Sequence, residues 1–427
     1  MDNTLSYNDQ LSFYENGRFQ HHKFAYFMLK NDKIKRINGL LHIFDGKVYV
    51  SGNNYLERKM IQYIPNLKDS QRKEVIKYLE ILCCDNVATD PYLHYIAFSN
   101  GLYNIHTKEI EAFSDEAIVT NLIPHNYNPQ AYNETVENFF DRLSCNDNSI
   151  RSVLEEAIGF CFDRTTTRSK SFILIGSNSN GKSTYFTLLE RILGTNNYTA
   201  IELQELKERF LKVLLQGKLA CIGDDIPSDA LAEKSVSMFK KIVSGNTISA
   251  EFKGKDAFVF NPFATLFFSC NRMPYIHDPE GAVARRLVFV PMNAKFTKQD
   301  KDFDPLFIYK ITNEDALEYV IKLGIDGLHR VIEGNDFTSS ESANALLEEF
   351  KKDSNPMKRF IEYYGETNIV RTTNTDLYEA YKEYCRLNNY ATLKIEAFSK
   401  TLCSALNLTT SPRTIDGKSV RIFTYKN

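Results

Sequence analysis

Residues 172–187 read FILIGSNSNGKSTYFT, and this stretch decides the fold. Phe172-Ile173-Leu174-Ile175 is a short, wholly apolar run, as a central parallel strand requires because both of its faces are covered. Gly176 to Ser183 then fits GxxxxGK[ST], and Thr184 to Leu193 continues with helical spacing. A strand, a glycine-bounded loop and a helix in that order make a cradle for phosphate. Glycine lets the backbone curl so that successive N–H groups converge on phosphate oxygens, and the helix N-terminus adds its positive end. On this reading Gly176, Ser177, Asn178, Ser179, Asn180, Gly181, Lys182, Ser183 and Thr184 bind a nucleoside triphosphate. Lys182 reaches the β- and γ-phosphates, and Ser183 ligates Mg²⁺.

Three further apolar runs lie downstream: Leu219 to Gly223, Ala264 to Ser269 and Leu287 to Val290. Helical patterns separate them, so residues from about 145 to 335 read as an α/β layered domain. Asp224-Asp225 follow the second run, where acidic residues face the crevice that holds nucleotide. Asp224 is assigned to the metal, and Asp225 to orienting and deprotonating the attacking water. The third run ends in Ser269-Cys270-Asn271, and a neutral amide there contacts a γ-phosphate or lytic water without adding repulsion. Arg285-Arg286 precede the fourth run. In ring ATPases an arginine from the neighbouring subunit stabilises transition-state charge, and the sequence does not say which of the two serves. Between the acidic pair and Asn271, two extended segments flank Lys253-Gly254-Lys255. A hairpin with a cationic tip suits the backbone of a single strand. A small-molecule kinase would leave this tip, Asn271 and the arginine pair without a use.

The flanks are less specific. Residues 1–140 mix helical and hairpin signals and form an α+β N-terminal domain. Leu11 to Leu29 reads as a buried helix, Asp45-Gly46 as a hairpin turn, and Asn100-Gly101 as the lead into a strand pair. No pair of acidic residues flanked by strands suggests a primase site. Thr375 to Asn388 and Ile395 to Leu406 read as amphipathic helices, and Asp416-Gly417 turns a hairpin ending in Val420 to Tyr425. Two helices and a hairpin outline a winged helix, within a C-terminal domain over 340–427. Residues 356–427 hold 11 Lys+Arg against 7 Asp+Glu, an excess that suits DNA backbone contact.

Composition sets outer limits on these readings. The chain has 427 residues and a formal net charge of -2, which excludes a wholly basic nucleic-acid coat. No apolar stretch reaches the ~18–20 residues of a membrane helix, and MDNTLSYNDQ lacks the pattern of a secretion signal. The eight cysteines follow no zinc spacing and suit reduced core thiols in a cytoplasmic protein.

The order of signals over about 165–295 resembles superfamily 3 helicases, and within them the poxvirus D5-like and phage/plasmid primase-helicase proteins. The resemblance rests on the phosphate loop, the acidic pair and the basic hairpin. Phe263 to Pro274, then Gly281-Ala-Val-Ala-Arg-Arg286, are similar to that family's sensor and arginine motifs. It implies an AAA+-like P-loop NTPase core with a parallel central sheet, the sensor strand lying between the phosphate-loop and acidic strands. It implies a homo-hexameric ring that burns ATP to move on single-stranded and forked DNA, 3′ to 5′, in a host cytoplasm. A separate primase or polymerase would be its partner. Carried over by position, Lys253 and Lys255 flank the hairpin apex, and Arg168 or Lys170 falls where viral relatives place a basic residue acting on the neighbour's nucleotide. The apex departs from some viral members, with Gly254 where they carry a Lys-His pair. The 140 residues ahead of the motor are short for a primase domain, so the expectation is a replicative helicase without one. An origin-binding initiator ATPase is the alternative.

Overall fold

Alternation of side chains along four apolar strands builds the centre of the molecule. Phe172 and Leu174 face one core and Ile173 the other; Phe267 faces the first, Leu266 and Phe268 the second. A strand apolar on both faces must be covered on both, and this chain supplies helices for each. Asn148–Phe160, Lys182–Leu193 and Glu314–Gly334 cover one side, while Leu203–Lys207, Glu233–Val243 and Phe350 of Glu341–Asp353 cover the other. The computed structural model describes every residue except 1–3, 86, 88, 227–231, 255, 275, 277, 279, 301–302, 371, 389, 391, 416–417 and 427.

The sheet has five parallel strands in the order Tyr198–Thr199, Ala220–Asp225, Thr265–Cys270, Ser171–Ile175, Leu287–Pro291. We call the middle three the acidic, amide and phosphate-loop strands. The amide strand pairs with the phosphate-loop strand through Ile175↔Cys270 and with the acidic strand through Ile222↔Phe267. It therefore lies between them, as the family resemblance implied. The edge strand Tyr198–Thr199 has no counterpart among the apolar runs of the sequence, because two residues are too few to make a pattern.

At the N-terminal end, the helix expected over Leu11 to Leu29 is broken. Asn16 and Gly17 have φ of 49° and 74°, turning the chain between Tyr14–Glu15 and Arg18–Phe19, and the helix proper is His21–Asn31. An Asn-Gly pair at positive φ is a hairpin turn, which outweighs the apolar content around it. The Asp45-Gly46 turn forms as read: Asp45 Oδ1 accepts from the amides of Lys47 and Val48 at 2.8 and 2.9 Å, and Phe44 pairs with Tyr49. Gly101–Asn104 pairs with Glu109–Glu111 as expected, and also with Tyr95–Phe98. Ile96, Phe98 and Tyr103 of this sheet lie in the same apolar cluster as Tyr185 and Leu188 of the phosphate-loop helix.

The C-terminal part has a core of its own. Helices Pro356–Tyr364, Asn374–Leu387 and Ile395–Leu406 enclose Phe360, Leu377, Tyr381 and Phe398. Leu408–Ile415 and Lys418–Tyr425 then pair antiparallel over their whole length. The Asp416-Gly417 apex lies outside the described residues.

Candidate functional site

The phosphate loop closes on itself before any ligand is considered. Gly181 takes φ +87°, a left-handed conformation that a side chain would resist, and the helix Lys182–Leu193 starts on the next residue. Lys182 is buried, and its Nζ donates to four oxygens: Gly176 O at 2.6 Å, Ser177 O at 3.1 Å, Asn180 Oδ1 at 3.2 Å and Asn271 Oδ1 at 3.3 Å. The last contact bridges the phosphate loop and the end of the amide strand. Residues 89 positions apart thus meet in one place.

A bulge aims the acidic residue. Ile222 pairs with Phe267 but Asp225 pairs with Ser269, so one extra residue enters the acidic strand between them. Bulges next to active sites re-aim a side chain. Here Asp224 leaves the ladder, and its Oδ1 accepts from Ser269 Oγ at 2.9 Å. Among the described residues no protein group donates to its other oxygen. Gly223 makes the bulge possible: a Cβ there would stand 2.6 Å from Ile201 O and 2.9 Å from the Phe268 ring. Asn178 to Thr184, Asp224, Ser269, Asn271 and Phe296 line a single cleft of about 400 Å³. Ser183 and Asp224 are hard oxygen donors on this cleft, a set that suits Mg²⁺ alongside phosphate oxygens.

The other sequence candidates lie apart from that cleft. Arg286 folds back onto its own chain, with Nε and Nη2 donating to Ser244 Oγ at 3.1 and 2.9 Å and Nη1 to Ala282 O at 2.5 Å. Burial, then the charge of Arg285, lowers its pKa. Arg285 is exposed, and its side chain makes no hydrogen bond or ion pair among the described residues. Arg168 pairs with Asp163 at 3.6 Å and Lys170 with Asp336 at 3.9 Å. Ile248–Ala250 and Phe258–Phe260 form the expected antiparallel hairpin, with Lys253 exposed and Gly254 at φ +77° in its loop. Lys255 lies outside the described residues, as does the Asp225 side chain.

Ser269 and Phe296 on the cleft, and Lys295 beside it, carry no signal of a site in the sequence. In the sequence Ser269 is only the end of an apolar strand. Lys295 Nζ donates to Ser177 Oγ at 2.5 Å, and the Phe296 amide donates to Ser179 O at 2.8 Å. A clamp holds their segment: Arg142 donates to Lys295 O at 2.9 Å, covers the Phe296 ring at 4.4 Å and pairs with Asp300. The hydroxyl and amide of Thr297, then Arg142, hold the Asp300 carboxyl down at about 2. Nothing in the sequence around Lys295 marks it, since the contact depends on where the last strand delivers the chain.

Comparison with known proteins gives matches over most of the length. Residues 7–156 match a family described as D5 N terminal like, residues 352–427 one described as poxvirus D5 protein-like, and residues 174–286 a family of unknown function. A protein of Acanthamoeba polyphaga mimivirus described as "Putative helicase" is 24% identical over 237 residues. The match spans 51% of this chain and 24% of that relative, so this chain covers about a quarter of the viral protein. Among solved structures, the apo C-terminal region of NrS-1 aligns over 96% of this chain and 100% of its own, at a TM-score of 0.54 and 13% identity. Its A form aligns over 95% and 98%, at 0.52 and 13%. At that identity the likeness concerns the fold.

Proposed function

We propose, from the premise that the chain belongs to the D5-like primase-helicase family, that it is an ATP-dependent replicative DNA helicase of a phage or mobile element. The family and its helicase-described relative support a replication-type, DNA-acting NTPase. The observation that carries the finer reading is the meeting of Lys182, Ser183, Asp224 and Asn271 on one cleft between strands of a five-stranded parallel sheet.

The chemistry follows from those positions. Lys182 exchanges its protein oxygens for β- and γ-phosphate oxygens, and Asn271 stays within reach of both the ammonium and the terminal phosphate. Ser269 fixes the Asp224 carboxylate, so little reorganisation is needed when charge develops. Ser183 and Asp224 would hold Mg²⁺, which when bound offsets negative charge on the phosphates. Asp225 orients and deprotonates the lytic water. Arg285, exposed beside a tethered Arg286, is the arginine presented to a neighbouring protomer's nucleotide. This use of Arg285 requires a ring, which we take to be a hexamer moving 3′ to 5′ on single-stranded DNA. Lys253 and Lys255 at the hairpin tip grip phosphates, and the C-terminal helices and hairpin act as a winged helix on duplex DNA. The chain divides by function into 1–140, 145–335 and 340–427, although from about residue 95 the first part shares its core with the second. Arg168 and Lys170, although paired within the chain, are the further basic candidates for the neighbour's nucleotide. A separate primase or polymerase works beside this motor in the host cytoplasm.

Strand displacement from a 3′-tailed duplex, with imaging in ATP and single-stranded DNA, tests the reading. Release of the strand by a six-fold ring is expected, with no release by Lys182→Ala. The basic C-terminal part favours one other outcome: tight origin binding and ATP turnover without displacement would make the chain an initiator.

A further inference from the structure

A long groove separates the N-terminal region from the motor on the side where the basic hairpin emerges. It consists of two cavities of about 720 and 690 Å³. They share Asn38, Leu40, Thr120, Gln216 and Phe252 on their walls, so they form one passage. One jaw is the turn Asn38-Gly39, at φ 49° and 80°, and Gln216 reaches across to within 3.5 Å of Asn38 O. The other jaw is the hairpin itself.

Three features of this groove point to a ligand. First, its hairpin wall is a run of stacked rings: Phe252 lies 5.7 Å from Phe258 at 20°, and Phe258 lies 5.8 Å from Phe260 at 28°. Phe252 is 42% exposed and Val259 68%, opposite Leu40 at 38%. Apolar surface left open across a gap marks a binding surface. Second, the remaining wall interleaves aliphatic side chains such as Leu93 and Val213 with amides and hydroxyls such as Asn38, Thr120 and Gln216, which hydrogen-bond base edges. The rim carries Asp256, Asp45 and Lys218. Third, Arg164 lines the first cavity at 7% exposure with no carboxylate in ion-pair range among the described residues. Its Nη2 donates to Tyr92 O at 2.9 Å and Tyr95 O at 3.0 Å, while nearby Asp163 pairs with Arg168. Burial pulls the Arg164 pKa down to about 10. The adjacent Asp163 charge offsets only part of that burial, and a buried guanidinium whose hydrogen bonds go to carbonyls gains from an anion that joins it.

We propose that this groove binds a segment of unpaired nucleic-acid strand, with bases against Phe252 and Phe258 and a phosphate against Arg164. The inference rests on the helicase reading and adds to it a path for the strand. From the tip at Lys253 the strand runs back between the hairpin and the Asn38-Gly39 turn, so the N-terminal region is half of the strand's channel. Stacking is tolerant of sequence, because every base has a π-face, and it suits a motor that must pass any sequence.

The test uses the full chain and oligothymidylate carrying single 4-thiothymidine residues. Photocrosslinks are expected on the peptide spanning Phe252 to Phe260 and on peptides holding Asn38 or Gln216. Gln216→Trp, which plugs the point common to both cavities, should weaken oligonucleotide binding about tenfold by anisotropy. Phe258→Leu, which keeps an apolar side chain but removes the ring, should weaken it several-fold. Adducts confined to the hairpin tip or the C-terminal part, with wild-type affinity for both variants, would overturn the proposal. So would a Gln216→Trp chain whose ring assembly fails while each protomer still binds the strand, since the groove would then be a seam between copies. A wild type that crosslinks in the groove but never displaces a strand would keep the groove and remove the helicase reading. A Gln216→Trp chain that unwinds and binds normally would do the reverse.

Discussion

Lys182 shows how a single side chain is readied for its ligand. Its ammonium is buried and would be costly there alone, and the four oxygens around it remove that cost while keeping it at the mouth of the cleft. Lys182→Ala is expected to lower ATP turnover by about 10²–10³-fold or more, measured by phosphate release. The arginine pair separates in the same terms. Arg286→Ala removes bonds to Ser244 and Ala282 and should cost about 1–2 kcal/mol in a denaturant titration, since that guanidinium holds its own fold together. Arg285→Ala should leave the melting curve in place and, on the proposed ring, slow turnover only once protomers have assembled. Equal loss of stability in both variants would refute this division. The sequence named the pair but could not split it, because the two differ only in what lies around them after folding.

The bulge in the acidic strand is the element that places the chemistry. Without the extra residue between Ile222 and Asp225, Asp224 would alternate into the sheet face and miss Ser269. Gly223→Ala puts a methyl 2.6 Å from Ile201 O, so the strand must flatten or shift. We expect weaker Mg²⁺-dependent hydrolysis, about tenfold down, with nucleotide affinity less affected; unchanged turnover would show that the bulge relaxes freely. Strand identity was legible from the apolar runs, since a strand covered on both sides leaves a continuous pattern. The bulge was not, since one inserted residue leaves the composition of a strand as it was. The same contrast separates the two N-terminal turns: Asp45-Gly46 stood between two obvious strands, while Asn16-Gly17 was hidden by the aromatic residues around it. The hairpin behind Lys253 was readable from its basic apex, and the groove behind it was not, because its opposite jaw comes from residues more than 200 positions earlier in the chain. Lys253→Ala should remove stimulation of ATP turnover by single-stranded DNA, read against the wild type at saturating oligonucleotide.

Across the whole molecule, several histidines make stability depend on pH in one direction. Burial lowers the pKa of His42, of His94 (with His106 adding) and of His329 (with Lys108 adding). For a group whose folded pKa lies below its unfolded one, the unfolded chain takes up protons first as pH falls. The contribution is therefore complete above the ordinary value of about 6.5 and declines as pH drops through it. The melting temperature should fall between pH 7.5 and pH 5.5, and a flat profile would mean these rings titrate as they do in the unfolded chain. One of these histidines lies where the N-terminal sheet meets Glu314–Gly334: His329 bonds Tyr103 at 2.7 Å. That meeting has a practical result for anyone shortening the protein. Ile96, Phe98 and Tyr103 share one oily interior with the phosphate-loop helix, and Leu143 presses against the backbone of Gly181. A trimmed version beginning near 145 would open a wet wound beneath the phosphate loop. A shorter piece that keeps this interior closed has to start ahead of residue 95.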